Sequence, residues 1–182
     1  MLFAHDTEVS LVAAAALINT ETSAGDLLPD VAALEAFLSP WTWTGKRTHD
    51  EAEVAGVRAL RPRLRAVWGA PEDEAVELVN AMLRESAALP QLVKHDGWDY
   101  HMHATPPDAD LHVRMQVEFA MAMLDVIRQK ELDRLRFCSA DDCNDVLIDL
   151  SKNRSRRFCE NGCGNRTNAA AYRARKRSPA PR

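Results

Sequence analysis

The four cysteines of this 182-residue chain all fall in its last quarter, as Cys138-x4-Cys143 and Cys159-x3-Cys163. Two close thiol pairs separated by 15 residues have the spacing of a four-cysteine zinc site. The constraint is strong because a module of about 45 residues cannot bury enough core to fold alone. Metal binding of order 10 kcal/mol offsets the chain entropy in such modules. Four thiolates close the tetrahedral shell and leave no position for water or substrate. The spacing therefore predicts one structural Zn2+ held by Cys138, Cys143, Cys159 and Cys163. Two disulfides in a secreted domain are the alternative, but in a reducing cytosol paired thiols are more often metal ligands.

The residues after Cys163 carry a second signal. Residues 151–182 hold 10 Lys/Arg against one Glu, whereas residues 1–150 hold 13 Lys/Arg against 26 Asp/Glu. The formal charge of −4 thus hides a basic end on an acidic body, and basic ends attract polyanions. Asn165 or Thr167 is placed to cap a helix running through Ala169-Ala170-Ala171 to Arg177. At about 100° per residue, Arg166, Arg173 and Arg177 form a narrow stripe with Ala169 and Ala170 close to it. Such a thin basic helix can approach a duplex closely, its arginines reaching phosphates or guanine edges. The nucleic-acid-binding candidates are Arg154, Arg156, Arg157, Asn165, Arg166, Arg173, Arg175, Lys176 and Arg177. The competing readings are a solvated end that aids solubility, an acidic protein partner, autoinhibitory docking on the chain's own acidic domain, and RNA. RNA is the poorer fit, since only Tyr172 is available for base stacking.

With 46% hydrophobic residues and 7 Gly, the composition predicts a mainly α protein with a small β-hairpin. Residues 1–136 form a helical domain, 137–177 a treble-clef-like four-cysteine finger, and 178–182 a disordered tail. Helices are expected over Leu11–Ile18, from Pro29 or Asp30 to Leu38, from about Asp50 to Trp68 with Pro62 inside, over Glu72–Leu89, and over Ala109–Leu135. Trp41-Thr42-Trp43 reads as a short strand or an anchored loop. Leu92-Val93 and Trp98–His103 read as a hairpin around the turn Asp96-Gly97. In the finger, Val146–Leu150 is a strand, with Arg156–Phe158 as its return. No stretch reaches the roughly 20 apolar residues of a membrane span. Leu11–Ile18 is too short for a secretory signal and lacks a basic n-region. A cytoplasmic protein is expected.

Phe158-Cys159-Glu160-Asn161-Gly162-Cys163-Gly164-Asn165-Arg166, with Cys138-x4-Cys143 upstream, Asp149 between and Tyr172-Arg173-Ala174-Arg175 downstream, resembles the CGNR zinc finger family. Its Cys-Gly-Asn-Arg motif stands intact at residues 163–166. Phe158 occupies a place where Trp is common. In that family the finger follows a ligand-sensing-type ABATE domain, found in proteins regarded as stress-induced transcriptional regulators. The amino-terminal part is similar in a looser way, through Asp6, Leu17-Ile18-Asn19-Thr20, Leu34–Leu38 and the helix ending in Arg61–Trp68. The resemblance implies zinc binding by the four cysteines and DNA binding by the carboxy-terminal end.

Alternation puts His101 and His103 on one strand face. With His112 near in sequence and Asp99 on that face, a second metal site is one reading; polar lining of a pocket and ordinary histidines are the others. His5 and Asn19 join His101 and His103 as ligand-pocket candidates if the first helix packs near the hairpin. A small-molecule effector is then a candidate partner, as is a second copy reading two half-sites, although no heptad marks a coiled coil. Met115, Met121 and Met123 line a cavity or fill core. No enzyme is expected: treble-clef nucleases need a histidine base, and none follows His112. Gly-rich phosphate loops, serine elbows and His-Glu-x-x-His pairs are missing as well.

Overall fold

The computed structural model describes residues 2–41, 43–95, 97 and 99–177. The expected disordered tail at 178–182 lies outside these residues, as do Thr42, Asp96 and Trp98. The molecule is mainly α, with six α-helices and three two-stranded antiparallel sheets among the described residues.

Helix α1 (His5–Ile18) is the centre of the fold, packed along α5 (Leu111–Arg128) and against α3 (Glu51–Val67). Its Leu11, Ala13, Ala14, Ala15, Leu17 and Ile18 are all buried, so it is apolar around most of its circumference, as a core helix must be. Helix α2 (Val31–Leu38) is capped by Asp30, whose carboxylate accepts from Ala33 N at 2.9 Å. Asp50 caps α3 in the same way, and Pro62 is accommodated inside that helix. Trp68 closes α3, stacked on Phe119 with ring centroids 5.7 Å apart. Trp41 and Trp43 lie outside any strand, and Trp43 packs against the core.

Two helices are shorter than their sequences suggest. Helix α4 runs Glu72–Glu85, not to Leu89, because Ala87 turns left-handed (φ 46°) and Ala88 N returns to Leu83 O at 3.0 Å. Helix α5 stops at Arg128, not Leu135, by the same device: Lys130 has φ 60°, and Glu131 N returns to Val126 O at 2.9 Å. Both are Schellman stops built without glycine. The chain after α5 makes one 3-10 turn (Leu132–Arg134) and enters a strand.

The sheets are β1 (Glu21–Thr22) with β2 (Gly25–Asp26), β3 (Gln91–Val93) with β4 (His101–His103), and β5 (Leu135–Phe137) with β6 (Val146–Ile148). Here the sequence reading needs correction, since Arg156–Phe158 is not the return strand of β6. All three residues of β6 are buried, and Leu135 supplies the apolar cover that two arginines could not. Leu135, Val146 and Ile148 belong to the same core as α1, α3 and α5.

Asn19, just past α1, fixes this junction. Its side-chain amide donates to Val146 O and accepts from Val146 N, both at 2.8 Å, acting as a one-residue strand along the free edge of β6. Trp68 Nε1 donates to Leu147 O at 3.1 Å, and Arg65 donates to Asn144 O at 2.8 Å. Removing one side of such a pair leaves part-buried backbone groups unsatisfied, at about 1–3 kcal/mol. Asn19→Ala should therefore lower the unfolding free energy by about that amount in urea denaturation. Asn19→Asp, which sets an oxygen against Val146 O, should be no better. A neutral Asn19→Ala would show that the clamp contributes nothing.

Candidate functional site

The finger is assembled from a knuckle after β5 and a turn before α6 (Cys163–Arg177). Cys138 N donates to Asp145 O at 2.8 Å and Cys143 N to Ala140 O at 3.1 Å, which bends the first ligand pair back on itself. Gly162, with φ 76°, makes the left-handed turn inside the second pair, just before Cys163. Helix α6 starts at Cys163 itself, so the expected caps Asn165 and Thr167 lie inside its first turns. Gly164 leaves room for the Phe158 ring, which a Cβ there would meet at 3.3 Å.

The four sulfurs lie within 4.8 Å of one another and none is in a disulfide. Cys143 and Cys159 sulfurs are 3.8 Å apart, and those of Cys159 and Cys163 3.4 Å. A tetrahedron with Zn–S bonds of about 2.3 Å has edges of about 3.8 Å, so the set fits a four-sulfur ion. Burial pushes the Cys143 thiol up to about 12 and raises Cys159 as well. At Cys138 burial works in the same direction, but backbone N–H groups from Cys159 and Ala140 outweigh it and lower that thiol. A divalent cation relieves the desolvation that holds the raised thiols protonated.

Asp149, fully buried, organises the segment between the ligand pairs. One carboxylate oxygen accepts from Ser151 N at 3.0 Å and Ser151 Oγ at 2.5 Å; the other accepts from Arg156 N at 2.9 Å and faces Arg136 at 3.2 Å. Burial would raise this carboxyl, yet the Ser151 bonds, the Arg156 N–H and the Arg136 charge hold it below the usual range.

The nucleic-acid candidates divide into two groups. Arg154 binds Asp133 and Glu131, Arg156 binds Glu160, and Arg166 reaches Asp142 and the Cys163 sulfur at 3.2 Å. Arg157, Arg173 and Arg175 are exposed and make no ion pair among the described residues, while Lys176 lies 5.2 Å over the Tyr172 ring. Asn165 is exposed on the same helix. Arg177 is its last residue.

The pocket candidates divide too. His101 and His103 line a cavity of about 80 Å³ between α1, α5 and the β3–β4 hairpin, together with Asp6, Trp43, Glu118 and Met121. His5 opens α1 but is not part of this lining, and Asn19 stands at the other end of α1, on β6. His112 is elsewhere as well, beside Gly56 and Asp50. The third histidine of the cluster is His95, in the loop after β3, which the sequence reading did not single out. Burial, then the neighbouring His101 and His95, lowers His103. Burial pushes the Glu118 carboxyl up to about 7. Met115 and Met123 are core.

A family model described as ABATE, "Putative stress-induced transcription regulator", matches residues 11–130, and the CGNR zinc finger model matches residues 134–176. The chain belongs to the ABATE family. None of the curated proteins compared with it matches. Among the described residues of this ABATE protein no helix is long and apolar enough to cross a membrane.

Two outcomes test the finger. Chelation of the metal should release the amides of residues 138–163 to rapid hydrogen exchange, as expected where binding free energy is folding free energy; unchanged protection would contradict a structural ion. Asp149→Asn should cost about 1–3 kcal/mol at pH 7 through its lost buried bonds. Because the native carboxyl is depressed, its contribution is complete above the unfolded value near 3.8 and fades as pH falls below it. The gap between the two proteins in denaturant titrations should therefore shrink toward pH 3. A gap independent of pH would argue against the charged form.

Proposed function

We propose that this ABATE protein is a zinc-dependent, DNA-binding transcriptional regulator rather than an enzyme, with one structural zinc in the four-cysteine site. The observation that carries the reading is α6. It starts on Cys163 of the four-sulfur cluster, is exposed over residues 165–173 and at Arg175 and Lys176, and among the described residues no carboxylate pairs with Arg173, Arg175 or Lys176. With Arg157 on the adjoining loop, these residues form the phosphate-facing set. Arg166 takes a different part: its bond to the Cys163 sulfur orients that ligand, as outer-shell donors do.

A closed sulfur shell offers no site for catalysis, and the residues around it serve structure. The helical body supplies a cavity of suitable chemistry for a small-molecule effector, lined by histidines, carboxylates and tryptophans. In this reading the finger meets DNA and the body carries the input.

The test is duplex binding by the zinc-loaded full chain across a salt series. Log K should fall linearly with log salt by roughly 0.9 for each phosphate contacted, so Arg173→Ala with Arg175→Ala should flatten the slope by about 1.8. Single-stranded RNA should bind more weakly than duplex DNA. Lack of duplex binding at low salt, or a slope unchanged in the double variant, would refute the reading.

A further inference from the structure

We propose that His95, His101 and His103 form a second metal site, a facial tri-imidazole centre for a divalent transition metal such as Zn2+, Co2+ or Ni2+. It is independent of the finger and of the DNA-binding reading.

The three Nε2 atoms form a triangle: 3.2 Å from His95 to His103, 3.2 Å from His95 to His101 and 3.0 Å from His101 to His103. An imidazole nitrogen carries either a hydrogen or a lone pair. With three atoms and two states, at least one contact always sets like against like, whatever the tautomers. Hydrogen bonding among the rings therefore cannot account for the triangle. A cation at its centre does, with all three lone pairs turned inward. Given metal–nitrogen bonds of about 2.0–2.1 Å, nitrogens at these separations subtend about 90–105°, between octahedral and tetrahedral geometry. The ring planes stand at 74°, 85° and 60° to one another, fanned around one point as ligating imidazoles are, with no pair stacked.

The backbone prepares this arrangement. His101 and His103 are alternate residues of β4, and the register pairs Val93 with His101, so the chain leaving β3 brings His95 to the same face. His101 Nδ1 stands 2.8 Å from Asp99 O. A carbonyl only accepts, so Nδ1 carries the hydrogen and Nε2 of the neutral ring keeps its lone pair. This is the outer-shell contact that fixes a metal-binding histidine's tautomer.

The ligand set also selects the ion. Three neutral imidazoles without thiolate suit zinc, nickel, copper or iron and are a poor match for magnesium or calcium. Three protein ligands leave coordination positions for water or a small molecule, unlike the closed finger. All three histidines line the cavity that also holds Asp6, Glu118 and Trp43, whose buried Nε1 has no hydrogen-bond partner among the described residues. An exchangeable ligand on the ion would therefore meet polar groups as well as apolar wall.

The experiment uses the full chain with its finger already filled with zinc. Titrated Co2+ should bind as an additional equivalent with d–d bands and no thiolate charge-transfer intensity, and should give paramagnetically shifted imidazole proton resonances from three histidines. His95→Ala and His101→Ala should each weaken it by more than about 100-fold, beyond the 10–100-fold cost of losing an outer-shell partner. Both variants should keep the finger's zinc and the wild-type circular dichroism. If a variant fails to fold, the wild-type resonances decide the matter alone. Absence of an additional equivalent, an ion showing only thiolate charge transfer, or affinity unchanged in both folded variants would overturn the proposal.

Discussion

The burial of one short hairpin against α1 holds the two halves of this protein in register. By sequence, β5 and β6 border the zinc ligands; in space, Leu135, Val146 and Ile148 complete the core formed by α1, α3 and α5. Each such aliphatic side chain contributes about 1.5–3 kcal/mol when fully removed from water. The Asn19 amide and the Trp68 and Arg65 donors satisfy the backbone of the same stretch. Metal binding and core packing therefore act on different degrees of freedom. An ion in the four-sulfur site would shape the loops between Cys138 and Cys163, while the hairpin decides where that unit stands on the helical body. Because α6 begins on a ligand, its direction is set by both.

The charge asymmetry of the sequence is only partly available to a partner. Arg134 is buried, donating to Glu131 and to the carbonyls of Asp149 and Ser151; Arg136 spans the carbonyls of Asp133 and Arg154 and faces the Asp149 carboxylate. Arg154 ties the loop after β6 to Glu131 and Asp133. The exposed pairs of Arg154 fix geometry more than they stabilise, since such surface pairs are typically worth about 0–1 kcal/mol. Among the described residues of the basic end, Lys152, Arg157, Arg173, Arg175 and Lys176 are exposed and outside such pairs. The basic end thus has an inner half that builds the finger and an outer half free to meet a polyanion.

The four-cysteine cluster was legible in the sequence because its spacing is itself the constraint, and helices with polar caps at Asp30 and Asp50 announced their own starts. Helix ends were not. The usual mark of a Schellman stop is glycine at the left-handed position, and here Ala87 and Lys130 occupy it at some conformational cost; nothing in either residue signals the turn. The histidine site was hidden by register. A two-residue turn at Asp96-Gly97 would pair residue 95 with 98 and place His95 on the face opposite His101. The observed pairing of Val93 with His101 is shifted by one, and a shift of one exchanges faces. Asn19 was read as a pocket residue because its neighbours lie on α1, yet its place one residue past the helix sends it to the far end, toward β6.

The two clusters differ in what it costs to fill and empty them. The finger's sulfurs are buried, and desolvation keeps the Cys143 and Cys159 thiols protonated until a cation displaces their protons. Binding at such a site is coupled to proton release and to folding, so an ion held there would stay as long as the fold does. The imidazoles are half-buried and sit on a surface hairpin. An ion on them requires no thiol ionisation, and the hairpin lies outside the main core cluster. Such a centre can load and unload while the protein remains folded. In the proposed reading, a tightly held ion at the end that carries α6 and an exchangeable one at the cavity would stand at opposite ends of α1, which runs from Asp6 at the cavity toward Asn19 at β6.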